Sequence, residues 1–101
     1  MLQCISPVDG SVFAERPTSD LASASDIVAT ARKAQADWAR RPLEERTDLV
    51  MAGIARLGEM KDETAVEIAW MMGRPVRYGG EFGGVEERAS HMAKIAPKGL
   101  A

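Results

Sequence analysis

Apolar residues recur at the spacing of an α-helix in four stretches after residue 23. The first stretch consists of Ile27, Ala31, Ala34 and Trp38, at intervals of four, three and four on one helical face. Ser23 stands three residues before Asp26, a spacing similar to a capping box, and Pro42 disfavours helical geometry in the residue before it. The pattern predicts a helix that begins near Ser23 and ends at Arg41.

A second helix is predicted directly afterwards. Pro42 suits its first position, where the missing N–H has no helical partner to lose. The apolar stripe of this helix consists of Leu43, Val50, Ile54 and Leu57. Gly53 and Gly58 each weaken a helix by roughly 1 kcal/mol relative to alanine, so tertiary packing must support it, and Gly58 is a candidate for its end.

A third helix is predicted from Asp62. One side carries Ala65, Ile68, Ala69 and Met72. Val66 and Trp70 widen the apolar arc, and we expect this helix to be buried on much of its circumference. Gly73 can close it in the left-handed conformation and Pro75 prevents its continuation.

A fourth helix is predicted from about Glu81 to Pro97. Its apolar positions are Phe82, Val85, Ala89, Met92 and Ile95. Before the helices, Asp9 and Gly10 supply the positive backbone angles of a tight turn between short β-prone runs. We therefore expect a mainly α chain, a single domain over residues 1–101, with a hairpin at 5–16 and helices within 24–97.

Composition excludes several functional classes. The chain has 101 residues, 46% hydrophobic and 28% charged, and a net charge of −2, without the basic patch that nucleic acid would require. One cysteine cannot form an internal disulfide, and no apolar run is long enough to span a bilayer. We expect a cytoplasmic protein that binds neither nucleic acid nor membrane.

The polar residues yield no assigned catalytic or metal site. Cys4 lacks the cationic environment that activates a thiol, and His91 with Glu87 gives two ligands where a zinc site needs more. The remaining carboxylates considered for acid–base chemistry lie on polar sides of helices: Glu63, Glu67 and Glu86.

Glycines 79, 80, 83 and 84 follow no predicted strand and match no phosphate-binding pattern. We therefore assign no catalytic, cofactor-binding or metal-binding residue. The segment Trp70 to Met72 offers an alternative function, because an exposed apolar patch of this kind can bind a protein partner.

The order of motifs resembles the N-terminal part of the aldehyde dehydrogenase superfamily. Ser6–Ser11 is similar to the Asn-Pro-x-Thr-Gly-Glu-type hairpin that opens the family, and Val12–Pro17 also fits. Ala34–Trp38 and Pro42–Arg46 resemble a helix that ends in tryptophan and the Pro-x-x-x-Arg that follows it. Met71–Pro75 departs from the family's Glu-x-Gly-Lys-Pro, since the acidic residue is absent and arginine replaces lysine. Glu81 stands where the family often has a glutamate that opens a helix.

This resemblance implies a chain that is structural and inactive by itself. The family oxidises aldehydes to acids with NAD or NADP, using a cysteine nucleophile, a glutamate base and an asparagine that follow this region. Residues 1–101 would thus be a single incomplete domain, the N-terminal helical segment of the α/β cofactor-binding domain. It would bind no cofactor alone, and its partners would be the rest of the enzyme and other subunits of a homo-oligomer.

Overall fold

The computed structural model describes residues 1–78 and 81–101, as a hairpin followed by helices. The strands are β1 (Leu2–Ile5) and β2 (Val12–Arg16), and the helices are α1 (Leu21–Arg40), α2 (Leu43–Gly58), α3 (Lys61–Met72) and α4 (Phe82–Gly99), with a short 3-10 turn at Val76–Tyr78 before α4. The chain is therefore mainly α, as the hydrophobic pattern predicts. None of the described helices combines the length and the apolar character needed to cross a bilayer.

The hairpin is longer than expected and its turn is wider. β1 and β2 pair antiparallel from Leu2 with Arg16 to Ile5 with Val12, so that residues 6–11 form the connection. In this connection only Gly10 has a positive φ, +78°, and Asp9 does not. The expected two-residue turn is thus wrong, because the Ser6 N–H donates to the Ser11 carbonyl at 2.8 Å and the Gly10 N–H donates to the Ser6 carbonyl at 2.9 Å.

The hairpin packs against the C-terminal end of α3. Ser6 is buried. A β-carbon added to Gly73 would lie 3.2 Å from the Pro7 Cγ. Gly73 also closes α3 with φ +77°, as predicted, and its N–H donates to the Ala69 carbonyl at 2.9 Å. A side chain at this position would meet both a conformational penalty and the proline ring.

Helix α1 begins earlier than predicted. Asp20, not Ser23, is its N-cap, and the Asp20 carboxylate accepts a hydrogen bond from the Ser23 N–H at 2.7 Å. The expected end is close to the observed one, since α1 ends at Arg40 and Arg41 is the extended C-cap residue before Pro42. The start was predicted too late because the serines are also good N-caps. Asp20, three residues before Ser23, is the residue that accepts a hydrogen bond from a free N–H group of the first turn.

Helices α2 and α4 pack against each other and form the main helical contact. At one end of this contact a β-carbon on Gly58 would lie 2.8 Å from the Phe82 Cζ, so the glycine permits the close approach of the ring. Helix α4 continues through Pro97 to Gly99, which corrects the predicted end at Pro97. The Leu100 N–H still donates to the Ala96 carbonyl at 2.9 Å, so the last turn persists around the proline.

An ion pair joins the end of α3 to the start of α4. Arg74 Nε lies 3.0 Å from Glu81 Oε1, in an orientation that does not form a linear hydrogen bond. The contact links the residue after the Gly73 cap to the residue that precedes Phe82. It therefore bridges the connection between the two helices.

The chain is open rather than compact. Its radius of gyration is 17.8 Å, whereas about 13 Å is typical of a compact domain of this length. Among the described residues only Ala65 and Ser6 are buried. The expectation that α3 is buried on much of its circumference is therefore wrong within this chain, because neither the hairpin nor another helix covers its second side.

Candidate functional site

An apolar cleft lies where the end of α1 meets α2 and α4. It has a volume of about 270 Å³. The lining residues are Trp38, Leu43, Arg46, Thr47, Val50, Ala89, Met92, Ala93, Ala96 and Leu100. Its walls are almost entirely apolar, and they offer no cluster of acids, bases and nucleophiles that could perform chemistry. The cleft suits an apolar side chain of another polypeptide segment.

Helix α1 presents a second exposed apolar surface. Leu21 is 86% exposed, Ile27 62% and Val28 52%. Of its twenty residues only Trp38 is partly covered, and Trp38 also lines the apolar cleft. Trp38 therefore links α1 to the apolar cleft, whereas Leu21, Ile27 and Val28 do not line that cleft.

The Trp70–Met72 face is also exposed. Trp70 is 39% and Met72 65% exposed, with Met71 between these values. All three belong to the last turn of α3, beside the hairpin. The sequence predicts these residues to form one apolar patch, and their side chains are exposed within this chain.

Cys4 lies on β1 and is partly buried. Its Sγ is 3.7 Å from the carbonyl oxygen of Met71, a contact that a weak S–H donor can make. No cationic side chain is among its hydrogen-bond or ion-pair partners in the described part of the chain. The contact connects the hairpin to α3, and it does not prepare the thiol for nucleophilic attack.

His91 and Glu87 line one shallow surface of α4 together with Gly84 and Arg88. Both are exposed, and so are Glu63, Glu67 and Glu86. Within residues 1–78 and 81–101, no three His, Cys, Asp or Glu side chains lie together as metal ligands would. The acid–base and zinc interpretations therefore receive no geometric support here.

The four glycines do not share one described loop. Gly83 and Gly84 lie in the first turn of α4, with open space where a β-carbon would stand. Glycines 79 and 80 lie outside the described residues. Gly83 and Gly84 thus belong to a helix and not to the strand-to-helix turn that a phosphate-binding loop would need.

The junction from β2 to α1 is the one described place where a strand leads into a helix, and it does not fit a dinucleotide. A pyrophosphate would need the free N–H groups at the start of the helix. Here Asp20 occupies that position, and the hydrogen bonds from the Ser23 backbone and side chain hold the pKa of its carboxyl below the usual value. A pyrophosphate at this helix N-terminus would therefore lie beside the negatively charged Asp20 carboxylate, which already accepts the hydrogen bond from the Ser23 N–H.

A similar polar arrangement stabilises the hairpin connection. The Ser11 hydroxyl donates to Asp9 Oδ1 at 2.6 Å, and the Ser11 N–H donates to the same oxygen at 3.0 Å. These hydrogen bonds, the hydroxyl's first, lower the pKa of the Asp9 carboxyl. Both perturbed carboxylates are thus capping groups of local structure, not members of a catalytic pair.

Sequence reasoning missed the apolar cleft. Trp38, Val50 and Met92 were assigned to three separate helical stripes, and nothing in their spacing shows that these stripes meet. The local signal was the pair Trp38 and Leu43, which flank the Arg41–Pro42 bend and must therefore lie close together.

The family follows from a comparison of the whole sequence with known families. The sequence model of the aldehyde dehydrogenase family matches residues 1–98. The chain belongs to this family. A vanillin dehydrogenase of Corynebacterium glutamicum is 32% identical over 68 residues, which are 67% of this chain and 13% of that protein. The matched region is thus a small part of the relative's length. No solved structure matches.

Proposed function

We propose that residues 1–101 are the N-terminal helical part of an NAD(P)-dependent aldehyde dehydrogenase, and that their role there is structural. Family membership supports the assignment. The single observation that carries it is the area of exposed apolar surface on α1, α3 and the cleft. Such a chain functions by packing on further polypeptide.

The size of the exposed surface indicates the kind of covering that is needed. The accessible surface is 8133 Å², whereas a compact chain of this mass exposes roughly 5,600 Å², an excess of about 2,500 Å². A standard interface covers only about 800 Å² per partner. One ordinary contact cannot cover this excess, and a large neighbouring part of the same enzyme can.

The chemistry in this proposal belongs to other parts of the enzyme. NAD or NADP would accept the hydride as the aldehyde is oxidised, and a nucleophile and base outside the described residues would act on the substrate. The β2–α1 junction does not fit the cofactor, because Asp20 already caps the helix. The partly buried lone thiol is compatible with the reducing cytoplasm, where we place the enzyme.

The alternative is a helical interaction module that uses the Trp70–Met72 face. The exposure of these three residues favours it. A module of this kind would bind its partner without restoring any oxidation. The two functions therefore differ in whether the chain can replace the matching segment of a family enzyme.

The test is a segment exchange in the Corynebacterium glutamicum vanillin dehydrogenase. Residues 1–101 replace the corresponding segment of that enzyme, and the same enzyme without the segment is the control. We expect the shortened enzyme to lose NAD(P)H-forming oxidation of vanillin and the exchanged enzyme to recover it. The proposal is wrong if the shortened enzyme is as active as the intact one, or if the exchanged enzyme does not assemble.

A variant of the exchanged enzyme separates the two functions. Met72→Glu places a charge on the Trp70–Met72 face, and Glu67→Gln alters the exposed polar side of the same helix. If the face packs inside the enzyme, Met72→Glu lowers assembly and activity together while Glu67→Gln leaves both. Unchanged assembly with Met72→Glu supports a free binding face, and so the interaction module.

A further inference from the structure

We propose that Asp9 is a site of spontaneous backbone modification, in which its carboxyl condenses with the Gly10 nitrogen and reopens as isoaspartate, and that the docked hairpin connection suppresses this reaction. Isoaspartate is the isomer in which the main chain runs through the side-chain carboxyl. The connection is residues 6–11, between β1 and β2. The inference does not rest on the proposed function, because it concerns only the hairpin and its contact with α3.

The sequence distinguishes Asp9 from every other aspartate. Of the six aspartates it is the one followed by glycine, and the sequence contains no asparagine, whose amide undergoes the same condensation. A glycine nitrogen is the least hindered for attack on the preceding carboxyl. The other aspartates precede larger residues and lie at the N-cap of α1 or within helices: Asp20, Asp26, Asp37, Asp48 and Asp62. We therefore expect isoaspartate to form at Asp9 first.

The reaction needs no reagent other than water. The Gly10 nitrogen attacks the Asp9 Cγ, a C–N bond forms, and the amide proton leaves with the carboxyl hydroxyl group as water. Water then adds to the cyclic succinimide at one of its two carbonyls. When it adds to the former main-chain carbonyl, the bond from that carbon to the nitrogen breaks and the α-carboxylate is released. The product has the same mass and one additional main-chain atom.

The docked connection engages the attacking nitrogen. The Gly10 N–H donates to the Ser6 carbonyl at 2.9 Å, and cyclisation would remove this donor. Ser6 is itself buried, its N–H donates to the Ser11 carbonyl at 2.8 Å, and its hydroxyl oxygen accepts from the Val8 N–H at 3.2 Å. The nitrogen is thus part of a hydrogen-bonded network that must open before the nitrogen can react.

The carboxyl group is held as well. Asp9 Oδ1 accepts the Ser11 hydroxyl at 2.6 Å and the Ser11 N–H at 3.0 Å, which fixes the orientation of the side chain. The same hydrogen bonds, the hydroxyl's first, lower the pKa of this carboxyl. An ionised carboxylate resists attack, because the departing oxygen must leave as water. Both reacting groups are therefore occupied while the connection is intact.

Isomerisation would in turn loosen the connection. The rings closed by the Ser6–Ser11 and Gly10–Ser6 hydrogen bonds both span residue 9, so the additional main-chain atom enlarges both. Pro7 follows the buried Ser6, and its Cγ would lie 3.2 Å from a β-carbon on Gly73. We expect the isoaspartate form to hold the proline ring less firmly against the end of α3.

Cys4 provides a built-in report of this docking. Its Sγ lies 3.7 Å from the Met71 carbonyl oxygen at the end of α3, and the residue is partly buried. It is the single cysteine of the chain, so a thiol reagent reports on the hairpin alone. A hairpin that leaves α3 would expose this thiol.

The experiment incubates residues 1–101 at neutral pH in buffer and in guanidinium chloride. Isoaspartate is located by peptide mapping with electron-transfer fragmentation, and Asp26 and Asp37 of α1 are internal controls. We expect it at Asp9, at a rate at least about tenfold higher in denaturant than in buffer. Equal rates in the two solutions would overturn the protection, and isoaspartate at Asp26 or Asp37 without any at Asp9 would overturn the site.

Matched serine variants test the hydrogen bonds of the connection. Ser11→Ala removes the hydroxyl that donates to Asp9, and Ser19→Ala removes an exposed hydroxyl outside the connection. Ser11→Ala should raise the rate in buffer severalfold and leave the rate in denaturant unchanged, while Ser19→Ala should alter neither. Equal rates for the two variants in buffer, or an equal acceleration by Ser11→Ala in both solutions, would show that the folded connection does not suppress the reaction.

The last measurement tests the consequence for docking. The isoaspartate form is separated by chromatography, and its rate of Cys4 alkylation is compared with that of the unmodified chain. We expect a severalfold increase. Asp9→Glu, whose longer side chain cyclises far more slowly, should retain its original alkylation rate after the same incubation. An isoaspartate form whose thiol reacts no faster than the unmodified one would refute the loosening of the hairpin.

Discussion

Helices α1 and α2 contrast in what stabilises them. Helix α1 has a side-chain N-cap, twenty residues and exposed apolar side chains, yet it makes no extensive contact with another described element. Helix α2 has no side-chain cap and contains Gly53 and Gly58, yet it packs against α4. Local sequence therefore defines α1, whereas tertiary contact maintains α2.

The difference shows which part of the chain can be stable alone. Helix propensity and capping contribute little compared with the burial of an apolar face. Within residues 1–101, α2 and α4 supply that burial to each other, and α1 does not receive it. We expect the α2–α4 pair to resist unfolding while α1 frays.

The strongest test of the α2–α4 contact is Gly58→Val. A β-carbon at this position would lie 2.8 Å from the Phe82 Cζ, so the ring must move from its place between α2 and the start of α4. Overpacking of this kind costs about 1–3 kcal/mol of unfolding free energy. Denaturant unfolding followed by circular dichroism measures the loss.

Gly53→Ala is the matched control in the same helix. No atom lies within 4 Å of the added β-carbon, so only the helix propensity changes. We expect a gain of up to about 1 kcal/mol. If Gly58→Val were as stable as Gly53→Ala, the contact between Gly58 and Phe82 would not hold α2 against α4.

A smaller effect is expected at the N-terminus of α1. Asp20→Ala removes the acceptor of the Ser23 N–H, and nothing in the tertiary structure compensates, so the helical signal of α1 should fall. Ser23→Ala retains the backbone donor and should change the signal less. Circular dichroism at low temperature gives the comparison, and an equal loss in both variants would show that Asp20 is not the dominant cap.

Acid should weaken the same cap. The hydrogen bonds from Ser23 lower the pKa of the folded Asp20 carboxyl, so its stabilisation is present above the unfolded pKa and is lost as the pH falls through the lowered value. With an unfolded pKa of about 3.9, the helicity of α1 should decline below about pH 4. Asp20→Asn keeps an acceptor without this titration, so an identical acid profile would contradict the assignment.

Much of the fold could be predicted because its signals are local. Gly73 closes α3 as expected, since a left-handed residue is needed there and glycine adopts it freely. The N-terminus of α1 was misplaced because Asp20 and Ser23 are both good caps and only the structure shows which one accepts the bond. Pro97 did not end α4, because a proline near the last turn removes one hydrogen bond without preventing the next.

The candidate interfaces were less predictable. Helical spacing identifies an apolar face, but it does not show whether another part of the chain covers that face. Trp70 and Val66 gave the same signal as a buried helix, and both are exposed in this chain. The apolar cleft depends on contacts between residues such as Trp38 and Met92, which are far apart in sequence.

The smallest expected effect concerns the bend that connects the two contrasting helices. The Arg41 guanidinium lies 5.9 Å from the Trp38 ring centroid and 2.9 Å from Glu45 Oε1, and the Arg46 Nε donates to the Arg41 carbonyl at 3.1 Å. Arg41→Ala removes the first two contacts. Because exposed pairs contribute about 0.2–1 kcal/mol, global stability should change little.

The orientation of α1 should change more than stability, because few other contacts hold it. Spin labels on α1 and α4 should report a broader distance distribution in Arg41→Ala. Arg40→Ala is the control, since Arg40 pairs only with Asp37 on the same helix among the described ion pairs. Equal distributions in the two variants would mean that the covalent bend at Pro42 alone sets the angle of α1, and that Arg41 adds nothing to it.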